Sequence, residues 1–72
     1  MNITYDPQSD AMYIQFSTVA PTRTEQISDD VMVDFKDDVL PVGVEILYAS
    51  EKIPPKNLSS VTYKVLDTPR KK

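Results

Sequence analysis

The chain has 72 residues, which is enough for one small domain. It contains no cysteine and no histidine, so disulfides are excluded and a zinc or iron–sulfur site is not expected. The formal net charge is −3, but it is unevenly distributed: residues 1–51 hold ten acidic and two basic side chains, whereas residues 52–72 hold one acidic and six basic. Such a distribution is compatible with a chain that folds back on itself, with head-to-tail pairing of two copies and with an acidic face for a basic partner, but solvated surface charge is the simpler interpretation.

The small size predicts a need for self-association. Burial of apolar surface in a chain this long stabilises the folded state by about 105 kcal/mol, at about 25 cal/mol per Å². Ordering the chain at about 1.5 kcal/mol per residue costs about 108 kcal/mol. Because the two terms cancel, a monomer would be marginally stable, and we expect a homodimer formed through an apolar sheet face or through strand edges.

Alternation of apolar and polar residues predicts short strands through most of the chain. The predicted strands, in chain order, lie at residues 2–5, 12–17, 23–28, 31–35 and 42–48. We expect a type I turn after Asp6, whose side chain caps the backbone next to Pro7. The third strand is polar and suits a position near an edge, with Ile27 pointing inward.

The last third of the chain is ambiguous. Ile53-Pro54-Pro55 excludes a helix interior or a central strand there. Residues 56–66 fit helical and strand spacing equally well, but β-branched and aromatic residues favour a strand at Val61–Val65, after a helical turn at Lys56–Ser60. The fold class predicted is α+β and β-rich, with an antiparallel five- to six-stranded meander sheet and at most one short helix. We expect this domain to span residues 1–67, with a flexible basic tail at residues 68–72.

Few side chains suggest catalysis. Without histidine, a serine or threonine nucleophile lacks its usual base, and a single glycine excludes a phosphate-cradling loop. The acidic residues between positions 29 and 38 lack the spacing of a calcium loop, so we expect solvated turns rather than a metal site. We predict no catalytic residue, no metal and no cofactor. The candidate binding residues are an acidic face: Asp29, Asp30, Asp34 and Glu45.

The N-terminal sequence resembles a family of small prokaryotic proteins. Residues 3–14 fit the pattern I-x-Y-D-x-x-x-D-x-x-Y-I, and the similarity continues through Asp29–Phe35 and Gly43–Ser50. The family is catalogued as a domain of unknown function (number two-two-eight-three). The resemblance implies a compact β-rich fold and no established activity, and some relatives look like partners of small toxins in paired operons. This chain departs from the pattern by lacking glycine in the turn at Lys36–Pro41 and by having Tyr48 where aspartate is common.

These observations favour a non-enzymatic protein-interaction module, in the form of an antitoxin-like acidic partner of a small basic protein. The alternative is a small-ligand or metal-binding domain whose site lies at a homodimer interface lined by tyrosines. An enzyme is the third possibility, with Asp34 and Glu45 as its carboxylates. No apolar run or leader-like segment indicates a membrane, and the acidic chain is a poor match to nucleic acid. We expect a cytoplasmic location.

Overall fold

The structure is a computed structural model that describes residues 1–67, apart from the side chains of Pro55 and Lys56. Five antiparallel strands form one sheet, and two helices of four residues each follow the last strand. The strands are β1 (Asn2–Asp6), β2 (Ala11–Gln15), β3 (Arg23–Gln26), β4 (Val31–Lys36) and β5 (Leu40–Leu47); the helices are α1 (Ala49–Lys52) and α2 (Pro55–Leu58). Within residues 1–67, no helix has the length and apolar character needed to cross a membrane.

The strand order in the sheet is β1-β2-β5-β4-β3. The predicted antiparallel β-rich fold is therefore confirmed, with five strands. The predicted meander is wrong, because β2 pairs with β5 rather than with the next strand in the chain. This order places β5, the longest strand, at the centre and the polar β3 (Arg-Thr-Glu-Gln) at an edge, where fewer side chains need burial. The described chain also has two short helices where at most one is predicted.

The sheet has one apolar and one polar face. Residues opposite each other on paired antiparallel strands project to the same side, so the register defines each face. The apolar face carries Ile3, Tyr5, Met12, Ile14, Val31, Val33, Phe35, Val44 and Ile46. The polar face carries Thr4, Tyr13, Thr24, Gln26, Met32, Asp34, Gly43 and Glu45.

The buried core is very small. Among the described side chains, the buried hydrophobic ones are Met12, Val42 and Ala49. Val42 is 2% exposed and lies beside an irregularity between Asp34 and Phe35, where β4 and β5 shift register. On the apolar face Met12 is buried, and the other eight residues are half-buried. The described part of the chain therefore covers this face only in part.

Two predictions about apolar residues are wrong. Ile27 does not point inward, because β3 ends at Gln26 and the Ile27 side chain is 57% exposed. Val61–Val65 does not form a strand: residues 59–67 have no helix or strand, and Tyr63 is 78% exposed. Strand propensity alone does not order a segment that has no hydrogen-bonding partner.

The remaining predictions for the C-terminal region have mixed outcomes. The helical turn predicted at Lys56–Ser60 is present slightly earlier, as α2, because proline is favoured in the first turn of a helix. The flexible tail predicted at residues 68–72 lies outside the described residues.

Candidate interaction surface

The apolar face has charged side chains at its β3 edge. Arg23 and Glu25 project to this face and form an ion pair at 2.9 Å between Nη1 and Oε1. Arg23 Nε also donates to Asp38, and the guanidinium carbon lies 4.8 Å from the centre of the Phe35 ring. Hydrogen bonds to Glu25 and Asp38 raise the pKa of Arg23. Each of the three charges at this edge thus has an opposite partner, although two carboxylates share one guanidinium.

The polar face is organised around Tyr13. Its hydroxyl donates to Asp34 Oδ2 at 2.8 Å, and the hydroxyl of Thr24 donates to Asp34 Oδ1. Burial is the main cause that raises the pKa of Tyr13, followed by the hydrogen bond to Asp34 and the negative charges of Asp34 and Glu45. The Tyr13 ring lies across Gly43, in space that a larger residue would fill. The sheet therefore holds Asp34 through two hydroxyl donors.

The four predicted acidic residues lie in two places. Asp34 and Glu45 share the polar face on the neighbouring strands β4 and β5. Asp29 and Asp30 lie in the turn between β3 and β4, where Asp30 forms a 2.9 Å ion pair with Lys52 Nζ. The structure therefore places Asp34 and Glu45 on one face, whereas Asp30 is paired with Lys52 at the end of the sheet. Across residues 1–67, no three His, Cys, Asp or Glu side chains are placed to share a metal ion.

Asp10 joins distant parts of the chain in a way that sequence reasoning missed. It has a positive φ of 55° and accepts hydrogen bonds from the Tyr5 hydroxyl (2.7 Å), the Ser50 hydroxyl (2.7 Å) and the Ser50 amide (3.0 Å). Its own carbonyl accepts the Ala49 amide at 2.9 Å. The hydrogen bond from the Ser50 hydroxyl, then that from Tyr5 and then that from the Ser50 amide lower the pKa of Asp10.

These contacts tie the β1–β2 turn to the start of α1. Tyr48, predicted as part of the fifth strand, instead adopts a left-handed conformation with φ 52° and turns the chain into the helix. The predicted cap by Asp6 is confirmed, since its Oδ1 accepts the Gln8 amide at 2.9 Å. No local signal relates Asp10 to Ser50, forty positions away, because the contact depends on the pairing of β2 with β5.

Comparison with known proteins agrees with the resemblance noted in the sequence. A family model described as "Protein of unknown function (DUF2283)" matches residues 2–50. This span contains all five strands and the contact between Asp10 and Ser50. Searches of curated proteins and of solved structures gave no match. The match covers more than half of the chain, and this protein therefore belongs to the DUF2283 family, whose description assigns no function.

Proposed function

We propose that this protein is a non-enzymatic protein-interaction module that binds through the apolar face of its sheet. The observation that carries the proposal is that the described part of the chain covers this face only in part. Of nine side chains on that face, Met12 alone is buried. A contiguous apolar patch of this kind marks a protein contact surface in soluble proteins.

The acidic character of the first 51 residues supports a second contact on the opposite, polar face of the sheet, which would make the protein an antitoxin-like acidic partner of a small basic protein. Both carboxylate oxygens of Asp34 already accept hydrogen bonds from Tyr13 and Thr24. Glu45 lies on the same face and makes no hydrogen bond or ion pair with the described residues. We therefore assign contact with a basic side chain to Glu45, with Asp34 as a fixed neighbouring charge.

The test uses tagged protein as bait in native lysate, with retained proteins identified by mass spectrometry. Val33→Lys places a lysine in the middle of the apolar face. The matched control, Ser28→Lys, introduces the same side chain in an exposed turn. We expect wild type and Ser28→Lys to retain a stoichiometric protein that Val33→Lys loses, while Glu45→Lys weakens retention of a basic one.

Circular dichroism checks that each variant remains folded. The proposal is wrong if folded Val33→Lys retains the same proteins in the same amounts as wild type. Unchanged retention by Glu45→Lys would contradict the acidic-partner form alone, because that form depends on charge attraction at the polar face.

A further inference from the structure

Residues 49–63, which we call the arm, follow the last strand of the sheet. The arm contains α1, α2 and, after them, a stretch without helix or strand. Tyr48 turns the chain into the arm with a left-handed backbone, a conformation that is strained for residues other than glycine. The covered apolar side chains of the arm are few: Ala49 is buried, and Ile53 and Leu58 are half-buried. The arm therefore packs on the rest of the protein through a small apolar contact.

The arm lies beside the β1 end of the apolar face. Leu58 lines a surface pocket together with Tyr5, and Val61 lines another together with Ile3. Within β1, Thr4 on the polar face is exposed, whereas Ile3 and Tyr5 on the apolar face are half-buried. The arm accounts for this difference, because its side chains meet those of Ile3 and Tyr5. It thus covers the part of the apolar face that belongs to the edge strand.

Hydrogen bonds and one ion pair hold the arm to two turns at one end of the sheet. In the β1–β2 turn, the Asp10 carboxylate accepts the Ser50 hydroxyl at 2.7 Å and the Ser50 amide at 3.0 Å. In the β3–β4 turn, Asp30 forms its ion pair with Lys52. Ser50 and Lys52 are both exposed, so water can replace these contacts. We call the contacts between Asp10 and Ser50 the latch.

Beyond its first residues, the backbone hydrogen bonds of the arm are internal. The Ile53 amide donates to the Ala49 carbonyl at 2.8 Å, and the Asn57 amide donates to the Pro54 carbonyl at 2.8 Å. Movement of the arm away from the sheet leaves these bonds intact. Elements that have few buried apolar side chains and are held by exposed hydrogen bonds open at a lower free energy than the rest of a fold.

We propose that the arm is a latched cover, and that the partner of the apolar face binds the open form, in which Ser50 has left Asp10 and the arm has moved away from Ile3 and Tyr5. This inference rests on the proposed function and adds how access to the apolar face is regulated. A partner that binds only the open form has an apparent affinity reduced by the fraction of molecules that are open. Weakening the latch therefore strengthens binding, whereas loss of a direct contact with the partner would weaken it.

The first experiment measures opening without any partner. Because the chain has no cysteine, Ile3→Cys and Val33→Cys each introduce a single thiol, whose rate of reaction with a water-soluble disulfide reagent reports its accessibility. Ile3 lies beside the arm, whereas Val33 lies on the same face in β4, beyond β2 and β5. Ser50→Ala removes the hydroxyl from the latch and should speed labelling of Ile3→Cys by at least about threefold. Labelling of Val33→Cys should not change.

The matched control is Ser60→Ala, which makes the same substitution at an exposed position outside the latch. It should leave both labelling rates as they are in the wild-type background. Equal acceleration at Ile3→Cys and Val33→Cys in Ser50→Ala would mean that the whole sheet unfolds, and would refute the cover. Unchanged labelling of Ile3→Cys in Ser50→Ala, or an equal effect of Ser60→Ala, would refute the latch.

The second experiment measures binding, by retention from lysate on tagged protein. Ser50→Ala should retain at least about threefold more of the protein that wild type retains, when the bait is not saturated. Asp10→Cys with Ser50→Cys replaces the latch with a disulfide, because the two native side chains are in contact at 2.7 Å. The oxidised form should retain less than wild type, and the reduced form should retain more. Equal retention by the two forms would refute control of binding by the arm.

The failure of this inference differs from the failure of the proposed function. If Val33→Lys loses the retained protein but Ser50→Ala binds no more of it than wild type, the interaction module stands and the latched cover is wrong. If Val33→Lys retains the same proteins as wild type, the proposed function fails, and regulation of the apolar face by the arm fails with it.

Discussion

Gly43 is the single glycine of the chain and lies in the central strand β5, under the Tyr13 ring. A Cβ atom at this position would lie 2.5 Å from Tyr13 Cζ and 2.9 Å from the carbonyl oxygen of Ile14, and closer still to the Tyr13 hydroxyl. Gly43→Ala must therefore displace the tyrosine ring or separate β2 from β5. Either movement breaks the hydrogen bond between Tyr13 and Asp34.

The magnitude follows from three terms. Overpacking costs about 1–3 kcal/mol. Loss of the hydrogen bond costs about 1 kcal/mol. Alanine recovers about 0.5–1 kcal/mol of the backbone entropy that glycine loses in a strand. We expect Gly43→Ala to reduce the free energy of unfolding by about 2 kcal/mol, which lowers the Tm of a domain this small by about 12 °C.

Thermal and urea unfolding followed by circular dichroism, at one fixed protein concentration, measures the effect. Tyr13→Ala provides the control, because removing the ring first should reduce the cost of Gly43→Ala to less than half. The steric reasoning is refuted if Gly43→Ala is as stable as wild type or more stable. It is also refuted if the substitution costs the same with and without the Tyr13 ring, since the two residues would then not interact.

The remaining predictions concern hydrogen bonds to carboxylates and one ion pair. The lowered pKa of Asp10 means that its contribution to stability is present above the ordinary value of 3.8 and is lost as pH falls through the folded pKa. In Asp10→Asn the urea concentration at the unfolding midpoint should therefore fall less steeply below pH 3.8 than in wild type. The same steep fall in both proteins would contradict this prediction. The pKa of Tyr5 is raised above 10.0 by its hydrogen bond to Asp10 and then by burial. The pKa of Tyr13 is also raised above 10.0, by burial and then by its hydrogen bond to Asp34. A titration followed by tyrosinate absorbance should show two groups that ionise late, one of which is lost in Tyr5→Phe and the other in Tyr13→Phe. The free energy of unfolding should fall as pH rises through these two pKa values. Lys52→Met removes the partner of Asp30 and should lower the free energy of unfolding in urea by less than about 1 kcal/mol. The loss should be smaller in high salt, which screens the ion pair. A loss that does not depend on salt would mean that Lys52 stabilises the fold by packing.

Local pattern predicted the strands well, but not the order in which they pair. Alternation locates each strand because one face is apolar, and the polar sequence of β3 correctly suggests an edge. The pairing of β2 with β5 joins residues such as Met12 and Ile46, which no turn or spacing connects. Propensity misled the prediction at Val61–Val65 as well: the segment has β-branched and aromatic residues, but it pairs with no strand of the sheet.

The sequence identifies the acidic residues but predicts only part of how they are arranged. Asp34 and Glu45 lie together because β4 and β5 are joined by a short turn, which keeps them in a local antiparallel register. The donors that hold Asp34, Tyr13 and Thr24, come from strands on either side of that pair and depend on the complete sheet. Likewise, Lys52 reaches Asp30 only because α1 follows the end of β5.

The strand order also has a consequence for how the chain folds. β1 with β2, and β3 with β4 and β5, are two units built from neighbouring strands, whereas the β2–β5 pairing is the one contact between them within the sheet. Closing the intervening chain costs entropy before that pairing forms, so we expect docking of the two units to limit the folding rate. Until they dock, the inner edges of β2 and β5 are both open, and the central strand is then most exposed to pairing with another molecule.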